Sequence, residues 1–402
     1  MSRRDPLSVR HRIALAACLA ALAVCLAVFA TGSAMPVQEV QLASGGGTAH
    51  GGGDNAKATA GGQPTRTDSA TSTPNSTPKS TPTQAPSATP VTTPTPLQQA
   101  DVFFASVDTM KLSKDEAASR LTPGQIANAV AQSAIGNYVT NDVPMEYPAV
   151  MGEWTAAIRS AGEYVWYRMG TSQHCLDRTV YLAELHNLIV SNPGYWHAGD
   201  IIDGDAENEN SCYWTEHCGA RGPYGCPQAF NAFTSALTET EDAALAQLGI
   251  TGVITGVHST DPGTATDGLL AASTVQSDHN FVTVDAYPDQ GISDPATAAA
   301  KWINQLNAIH DAWPNAEVVI GESGYDLSND VSDSTQVAVL SAEYHAIESA
   351  HMTWLIGWNY WVGPGDCAGG GCAHLLDGSV AAGWTRRPAA ATVASFYSAE
   401  GG

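Results

Sequence analysis

The sequence has few positively charged residues for its length. Its 402 residues include 17 Lys and Arg against 40 Asp and Glu, which gives a formal net charge of −23 at pH 7. Residues 1–100 carry seven Lys and Arg against four Asp and Glu, so the rest of the chain carries ten against thirty-six. Such an excess of negative charge argues against nucleic acid or an anionic membrane surface as a partner. It suits an exported protein that handles a neutral or cationic substrate.

Several motifs of cofactor and metal chemistry are also missing from the sequence. No Gly-x-Gly-x-x-Gly follows the first predicted strand, which disfavours dinucleotide binding. No Cys-x-x-Cys, His-x-His or His-Glu-x-x-His occurs, so the common spacings that place metal ligands on one face are absent. We therefore expect neither a cofactor nor a metal.

The cysteines indicate disulfides. Two of the eight lie in the N-terminal apolar run, which leaves six, an even number, in the remainder of a chain predicted to be exported. Cys367 and Cys372 flank Ala-Gly-Gly-Gly and are predicted to pair with each other. The other four cannot be paired from the sequence: Cys175, Cys212, Cys218 and Cys226.

The N-terminus has the pattern of an export signal, assigned to residues 1–35. Four arginines precede an apolar run at residues 13–30, and small residues follow at 32–34. The run of eighteen residues is just long enough to span a bilayer, so a retained membrane anchor is an alternative to a cleaved signal. We expect a secreted or extracellular protein, with anchoring to the cell membrane through residues 13–30 as the alternative.

Residues 36–99 are predicted to form a disordered linker. Residues 44–98 are rich in Gly and then in Ser, Thr and Pro, without apolar periodicity. Such a segment has nothing to bury that would offset the entropy of ordering, so it should remain an extended tether. The tether would hold a folded head of residues 100–402 away from the cell surface.

The head alternates short β-rich runs with longer helical ones, which predicts an α/β fold, specifically a (β/α)₈ TIM barrel. Seven of the eight predicted strands are followed by a helical run. The predicted strands are 102–107, 135–140, 164–169, 199–207, 252–258, 281–286, the run 318–320 that ends near Glu322, and 353–361. The main predicted helices are 123–133, 148–161, 176–190, 228–248, 295–312 and 335–350, with a short one near 268–275.

Polar and aromatic side chains follow the predicted strands at their carboxyl ends, where this fold carries its catalytic groups. The candidates are Asn141, Asp142, Arg168, Asp203, Asp205, Glu207, Glu209, His258, Asp285, Tyr287, Glu322, Trp358, Asn359 and Trp361. Two carboxyl groups that face each other across a cleft can cleave a glycosidic bond, one as proton donor and the other as an ionised group. Trp and Tyr faces would add surfaces on which sugars stack.

Four segments make the likeness specific: AENEN at 206–210, DAY at 285–287, VVIGESGY at 318–325 and GWNYW at 357–361. With them the head resembles the large clan of retaining (β/α)₈ glycoside hydrolases, which includes cellulase- and mannanase-like enzymes. The resemblance implies a glycosidase with Glu322 as nucleophile at the end of strand 7. Tyr287 would donate a hydrogen bond to Glu322, and Trp358 or Trp361 would form the floor under the sugar.

The proton donor at strand 4 stays open between two residues. The clan usually has Asn directly before the acid/base, which selects Glu209 after Asn208. Glu207 lies closer to the apolar part of its strand, where the rim of the barrel is expected. The sequence also has Asp285 where the clan commonly has His, and Arg168 falls on strand 3 rather than strand 2. The predicted substrate contacts are Arg168, Asn208, His258, Asp285, Tyr287, Trp358, Asn359 and Trp361.

Two other functions remain open from the sequence. One is a metal-dependent barrel hydrolase that uses His197, Asp200, Asp203, His258 and Asp285. The other is a non-catalytic barrel that binds polysaccharide. For the glycosidase we expect a monomer whose partner is a carbohydrate substrate.

Overall fold

The computed structural model describes residues 103–114, 117, 121–171, 175–205, 207–259, 261–278, 281–325, 332–361 and 375–401. The predicted export signal, the linker, the Cys367–Cys372 pair and the loop after strand 8 lie outside the described residues and stay predictions. Within the described part, no helix combines the length and the apolar character needed to cross a membrane.

Eight parallel strands close into a barrel in chain order, with the first strand paired to the last. They are β1 Phe104–Asp108, β2 Tyr138–Asn141, β3 Tyr164–Met169, β4 Ile201–Gly204, β5 Ile254–Ser259, β6 Val282–Asp285, β7 Val318–Ser323 and β8 Leu355–Trp361. The predicted (β/α)₈ barrel is therefore confirmed, and the strand count that assigns Arg168 to β3 is correct. The carboxyl ends of all eight strands meet at one rim.

Helices surround the barrel, and an antiparallel hairpin follows it. The helices are α1 Met110–Ser113, α2 Pro123–Ser133, α3 Pro148–Ser160, α4 Arg178–Ser191, α5 Cys212–Cys218, α6 Pro227–Leu248, α7 Pro262–Thr266, α8 Ala272–Asp278, α9 Pro295–Ala312, α10 Asp333–Ala350 and α11 Ala389–Glu400. The hairpin strands are β9 Leu376–Ser379 and β10 Gly383–Arg386. Short 3₁₀ turns occupy Asn208–Asn210 and Gly222–Gly225.

Local chemistry explains where the longer helices begin. Proline opens α2, α3, α6 and α9, at the position where its missing N–H costs nothing. Thr122 forms a capping box with Gln125 at the start of α2, and the carboxylate of Asp294 accepts a hydrogen bond from the Thr297 N–H at the start of α9. These signals are readable in the sequence.

Two apolar layers hold the barrel. The inner layer fills the barrel interior below the rim with Phe104, Tyr138, Tyr164, Trp166, Ile201, Ile254, Phe281 and Val319. The Phe104 and Phe281 rings meet edge to face at 5.6 Å between centroids. The larger outer layer packs the other faces of the strands against the helices. Because the interior is filled with aromatic side chains, the polar rim rests on a rigid floor.

Two disulfides clamp the segment that follows β4. Cys175 pairs with Cys212, and Cys218 pairs with Cys226. Helix α5 therefore carries a disulfide at each of its ends. These are the four cysteines that the sequence could not pair.

Candidate active site

A cavity of about 550 Å³ opens at the carboxyl ends of the strands. Its walls come from the ends of β6 and β7 and from the segments that follow β4, β5 and β6, together with one residue of α9. The lining residues are Glu207, Asn210, Asp261, Pro262, Gly263, Thr266, Asp285, Tyr287, Pro288, Gln290, Gln305 and Glu322. Among the described residues, the wall of this cavity carries no Lys or Arg.

Glu322 lies at the inner end of this cavity, on β7. Its Oε1 accepts a hydrogen bond from Arg168 Nη1 at 2.6 Å, and its Oε2 accepts one from Tyr287 Oη at 2.9 Å. The side chain is almost entirely buried. A register shift between β6 and β7 brings Asp285 opposite Glu322. The hydrogen bond from Tyr287 that the resemblance implies is thus present.

Arg168 is the buried cation around which the carboxylates of the rim gather. Its Nη1 also pairs with Asp108 and lies 3.5 Å from Asp142 Oδ1, and its Nη2 lies 3.8 Å from Asp285 Oδ2. With Glu322, four carboxyl groups from four strands surround one guanidinium. One guanidinium cannot neutralise four buried carboxylates, and burial raises the pKa values of Asp108, Asp142 and Asp285, so that protonation can relieve part of this negative charge.

Asn359 on β8 completes the floor of the site. Its side-chain amide donates to Asp108 Oδ2 at 3.1 Å and to the carbonyl of Gly321 at 2.7 Å. It therefore links the end of β1 to β7, the two neighbours of β8 in the barrel. Asp108 was absent from the predicted site residues, although a carboxylate directly after the first predicted strand follows the same rule as the others.

The surrounding charges divide the carboxyl groups into different protonation states. Burial raises the pKa of Glu322, but Arg168, His258 and the hydrogen bonds from Arg168 and Tyr287 outweigh it, so the pKa lies below its ordinary value. Burial and the neighbouring charge of Glu322 raise the pKa of Asp285 to about 7. One carboxyl group is held ionised while its neighbour readily takes a proton, which is the division that acid–base chemistry requires.

His258 on β5 connects two of these carboxyl groups. Its Nε2 lies 3.0 Å from Asp285 Oδ2, and its Nδ1 lies 3.3 Å from Asp203 Oδ2 and 2.9 Å from Thr283 Oγ1. Burial lowers the pKa of His258, but Asp285 and Asp203 outweigh burial and raise it well above 6.5. The protonated imidazole adds a second buried cation beside Glu322, and Asp203 is part of the scaffold that orients it.

The two candidate proton donors, Glu207 and Glu209, lie in different surroundings. Glu207 lines the same cavity as Glu322, with about a third of its side chain exposed (34%) and Lys114 Nζ 3.7 Å from its Oε2. Glu209 instead accepts a hydrogen bond from Ser259 Oγ at 3.2 Å and does not line the cavity. Glu207 and Glu322 therefore line the same cavity, whereas Glu209 does not line it.

Two predicted substrate contacts lie away from the cavity. Asn208 is buried, where its side-chain oxygen accepts from Arg178 at 3.0 Å and from Trp214 Nε1 at 3.1 Å. Trp358 is buried between β8 and the helices, 4.7 Å from the Trp302 ring, so its prediction as a sugar platform is wrong. Side chains alternate along a strand, and Asn359 occupies the inward position next to it. The side chain of Trp361 lies outside the described residues.

The five side chains predicted for a metal-dependent hydrolase divide between the two ends of the barrel. Asp200 precedes β4 and accepts hydrogen bonds from the backbone N–H groups of Val165 and His197. Asp200 and His197 therefore lie at the amino ends of the strands. His258 and its partners lie at the opposite rim. Among the described residues, the His, Cys, Asp or Glu side chains with three ligand atoms within 4.8 Å of one another are Cys175, Cys212 and Glu216. Both cysteines there belong to a disulfide.

The sequence did not single out several residues that line the cavity. Asn210, Gln290 and Gln305 offer amide groups, and Asp261 offers a carboxylate. Asn210 follows the candidate acids closely and Gln290 follows Tyr287, so position along the chain could have suggested both. Gln305 lies in the middle of α9, and no local signal distinguishes it from a surface glutamine.

Comparison with known proteins supports the fold. No family model matches the sequence, and no curated protein is significantly similar to it. Among solved structures, the chain is similar to a GH5-4 broad-specificity endoglucanase from Clostridium acetobutylicum, with 14% identity and a TM-score of 0.53 over 73% of this chain and 97% of that one. A family 5 xyloglucanase from Paenibacillus pabuli has 12% identity and a TM-score of 0.51, with 75% and 100% covered.

A further GH5-4 broad-specificity endoglucanase, from an uncultured bacterium, gives 12% identity and a TM-score of 0.51, with 74% of this chain and 95% of that one covered. At such low identity these similarities establish the shared barrel fold, which is the fold that the sequence resemblance implies. A shared fold does not by itself determine the chemistry of the site, which depends on the site's own residues.

Proposed function

We propose that the protein is an exported glycoside hydrolase that cleaves a polysaccharide or oligosaccharide by a retaining mechanism with two Glu residues. One observation carries the proposal: Glu322, whose pKa is lowered, and Glu207 line a single cavity at the catalytic rim of the barrel. A retaining glycosidase needs an ionised nucleophile and a second carboxyl group that gives and then takes a proton.

Glu322 is the nucleophile in this proposal. Arg168 and Tyr287 hold its two oxygens, so the carboxylate is fixed before substrate arrives. Attack on the anomeric carbon would form a glycosyl–enzyme ester and neutralise the carboxylate. The Tyr287 hydroxyl points toward Glu322 Oε2. Once the ester has formed, the hydroxyl can donate a hydrogen bond to the ester or to the ring oxygen of the sugar.

Glu207 is the acid/base in this proposal. As acid it gives its proton to the leaving glycosidic oxygen, and as base it takes a proton from the water that hydrolyses the ester. Lys114, 3.7 Å from Oε2, would stabilise the carboxylate form that exists between these two steps. Glu209 remains the alternative that the sequence offers, but its hydrogen bond to Ser259 directs it away from the cavity.

A neutral β-linked glucan is the substrate that fits best. The cavity wall offers the amides of Asn210, Gln290 and Gln305, which can both donate to and accept from sugar hydroxyls. Its charged groups are carboxylates, which would repel uronic acids. The similar solved structures include endoglucanases and a xyloglucanase, which points in the same direction.

Location is part of the proposal and rests on the sequence alone. An export signal at 1–35 and a Gly/Ser/Thr/Pro-rich linker at 36–99 would place the barrel outside the cell, with residues 13–30 as a possible membrane tether. A polymer too large to import is a sensible target for such a protein. We propose that it acts as a monomer.

Hydrolysis of a polysaccharide panel tests the proposal. Purified protein is incubated with barley β-glucan, xyloglucan, hydroxyethyl cellulose and glucomannan, and new reducing ends and the anomeric configuration of the first product are measured. We expect net retention for the wild type and loss of hydrolysis in Glu322→Gln. The matched control is Glu317→Gln, an exposed residue five positions earlier. If wild type and Glu322→Gln bind a polysaccharide equally and neither cleaves it, the non-catalytic alternative is correct.

A further inference from the structure

The segment that carries Glu207 has a strained backbone. Asp205 has φ 44° and Glu207 has φ 64°, so two non-glycine residues adopt the left-handed conformation within three positions. Residues other than glycine rarely adopt this backbone conformation. They keep it only where contacts with the surrounding structure hold the backbone in place. Strained backbone of this kind is found preferentially at functional sites. The residue whose contacts hold the backbone in this conformation therefore bears on function.

Arg178 is the side chain that ties this segment together. Its Nη1 donates to Asp205 Oδ2 at 2.5 Å and to Asn208 Oδ1 at 3.0 Å. Its Nη2 donates to Ser211 Oγ at 3.1 Å and to the Leu176 carbonyl at 2.7 Å, and its Nε donates to the same carbonyl at 3.2 Å. The five N–H groups of the guanidinium are thus matched by five hydrogen bonds. Arg178 is buried and does not line the main cavity.

Other contacts make the loop a closed unit around Arg178. The Tyr181 hydroxyl accepts from the Asp205 N–H at 3.0 Å, and the Trp214 indole donates to the Asn208 carbonyl at 3.0 Å. The Cys175–Cys212 disulfide joins the residues next to Leu176 and Ser211, which are both partners of Arg178. The segment around Leu176 and the segment around Ser211 are thus joined twice, by the Arg178 guanidinium and by the disulfide.

We propose that Arg178 is a positioning residue for Glu207: by holding Asp205 and Asn208 on either side of it, Arg178 keeps the strained turn that directs Glu207 into the cavity of Glu322. This inference rests on the proposed function, in which Glu207 is the proton donor. Since every N–H of Arg178 is used within the protein, it acts through the loop and does not contact the substrate.

Leaving-group dependence tests the inference. Protonation by an acid matters for a poor leaving group such as phenol and hardly matters for 2,4-dinitrophenol. We expect Glu207→Ala and Arg178→Lys each to lower kcat/KM on phenyl β-cellobioside by about tenfold or more, and to change it by less than about threefold on 2,4-dinitrophenyl β-cellobioside. Lysine keeps the charge but cannot make the five hydrogen bonds.

A matched control separates positioning from general loss of structure. Arg159 pairs with Asp200 at 2.7 Å at the opposite end of the barrel, so Arg159→Lys weakens a similar ion pair far from the site. We expect this variant to lower the rates on both cellobiosides equally or not at all. If Arg178→Lys behaves in the same way while Glu207→Ala shows the leaving-group dependence, the inference is overturned and the proposed function stands. If Glu207→Ala shows no leaving-group dependence, the role of Glu207 fails instead.

Hydrogen exchange provides a test that needs no substrate. The N–H groups of Asn208, Asn210 and Ser211 donate within the loop, to Asp205, Glu207 and Asn208. We expect them to exchange at least about tenfold faster in Arg178→Lys than in wild type, without a change in the strands of the barrel. Unchanged exchange would contradict the positioning role even if the wild type cleaved neither cellobioside.

Discussion

Arg168 on β3 and Glu322 on β7 form a buried ion pair across the mouth of the barrel, with Nη1 2.6 Å from Oε1 although 154 residues separate them in the chain. The same guanidinium also forms ion pairs with Asp108, Asp142 and Asp285. The ionisation of Glu322, the proposed nucleophile, thus depends on Arg168, which also contacts three other carboxyl groups. This dependence makes the pH profile a direct probe of the site.

The Arg168→Lys variant should move the acid limb of activity to higher pH. Arg168 is the strongest of the groups that lower the pKa of Glu322, and lysine cannot reproduce the hydrogen bonds of the fork, so the pKa should rise. The acid limb of kcat/KM reports this ionisation in the free enzyme. The measurement is kcat/KM against pH from 3 to 8, with Arg159→Lys as control. An unmoved acid limb would mean that Arg168 does not govern the nucleophile.

The Tyr287→Phe variant should weaken catalysis with little change in stability. It removes one hydrogen bond to Glu322 Oε2, which lies 2.9 Å from the hydroxyl. We expect kcat to fall by about a hundredfold or more, since groups that stabilise charge in the transition state contribute about 2.7–4 kcal/mol at other active sites. Tyr195→Phe is the control, because that hydroxyl donates to the Pro148 carbonyl outside the site. Equal effects of the two variants on kcat would contradict a role for Tyr287.

Much of the fold was readable from the sequence because local and global signals agree there. The predicted ranges of β3, α2 and α9 match the structure residue for residue, since apolar runs, proline and capping groups mark their ends. Helices α5 and α11 were not predicted. Seven-residue α5 lies between two disulfides, so tertiary links and not periodicity define it.

The site was only partly readable. Strand ends pointed to Glu322, Asp285 and Tyr287, and these three residues line one cavity because this fold brings such positions to one rim. The choice between Glu207 and Glu209 depends on left-handed backbone at two non-glycine residues, which leaves no mark in the sequence. Trp358 was misplaced because β8 is apolar on both faces, so the pattern does not show which side chains point inward.

The two disulfides should differ in their contribution to stability. In the chain-entropy description the Cys175–Cys212 link closes a 37-residue separation and the Cys218–Cys226 link one of 8, which corresponds to about 4 and about 2.5 kcal/mol. We expect the Cys175→Ser/Cys212→Ser double variant to lower Tm more than the Cys218→Ser/Cys226→Ser double variant. Thermal unfolding followed by circular dichroism checks the order. The reverse order would show that strain or residual structure dominates over loop length.

A buried acid pair behind the site should make stability depend on pH. Glu343 on α10 is almost fully buried, and burial together with Asp289 raises its pKa to about 10. An acid whose pKa is raised on folding contributes stability that is fully present below its unfolded pKa of about 4.5 and is lost as the pH rises through about 10. The contribution of Glu343 to the free energy of unfolding should therefore fall steadily between these values.

Glu343→Gln should remove this dependence, because glutamine does not titrate and its amide can still donate to Asp289. We expect the variant to match the wild type at about pH 4.5 and to have a higher Tm at pH 9, where the wild type bears the cost of keeping Glu343 protonated. Glu239→Gln, at an exposed position of α6, is the control and should leave the slope of Tm against pH unchanged. A parallel displacement of the Glu343→Gln curve at all pH values would mean that Glu343 does not gain its proton on folding. Its effect would then come from packing alone.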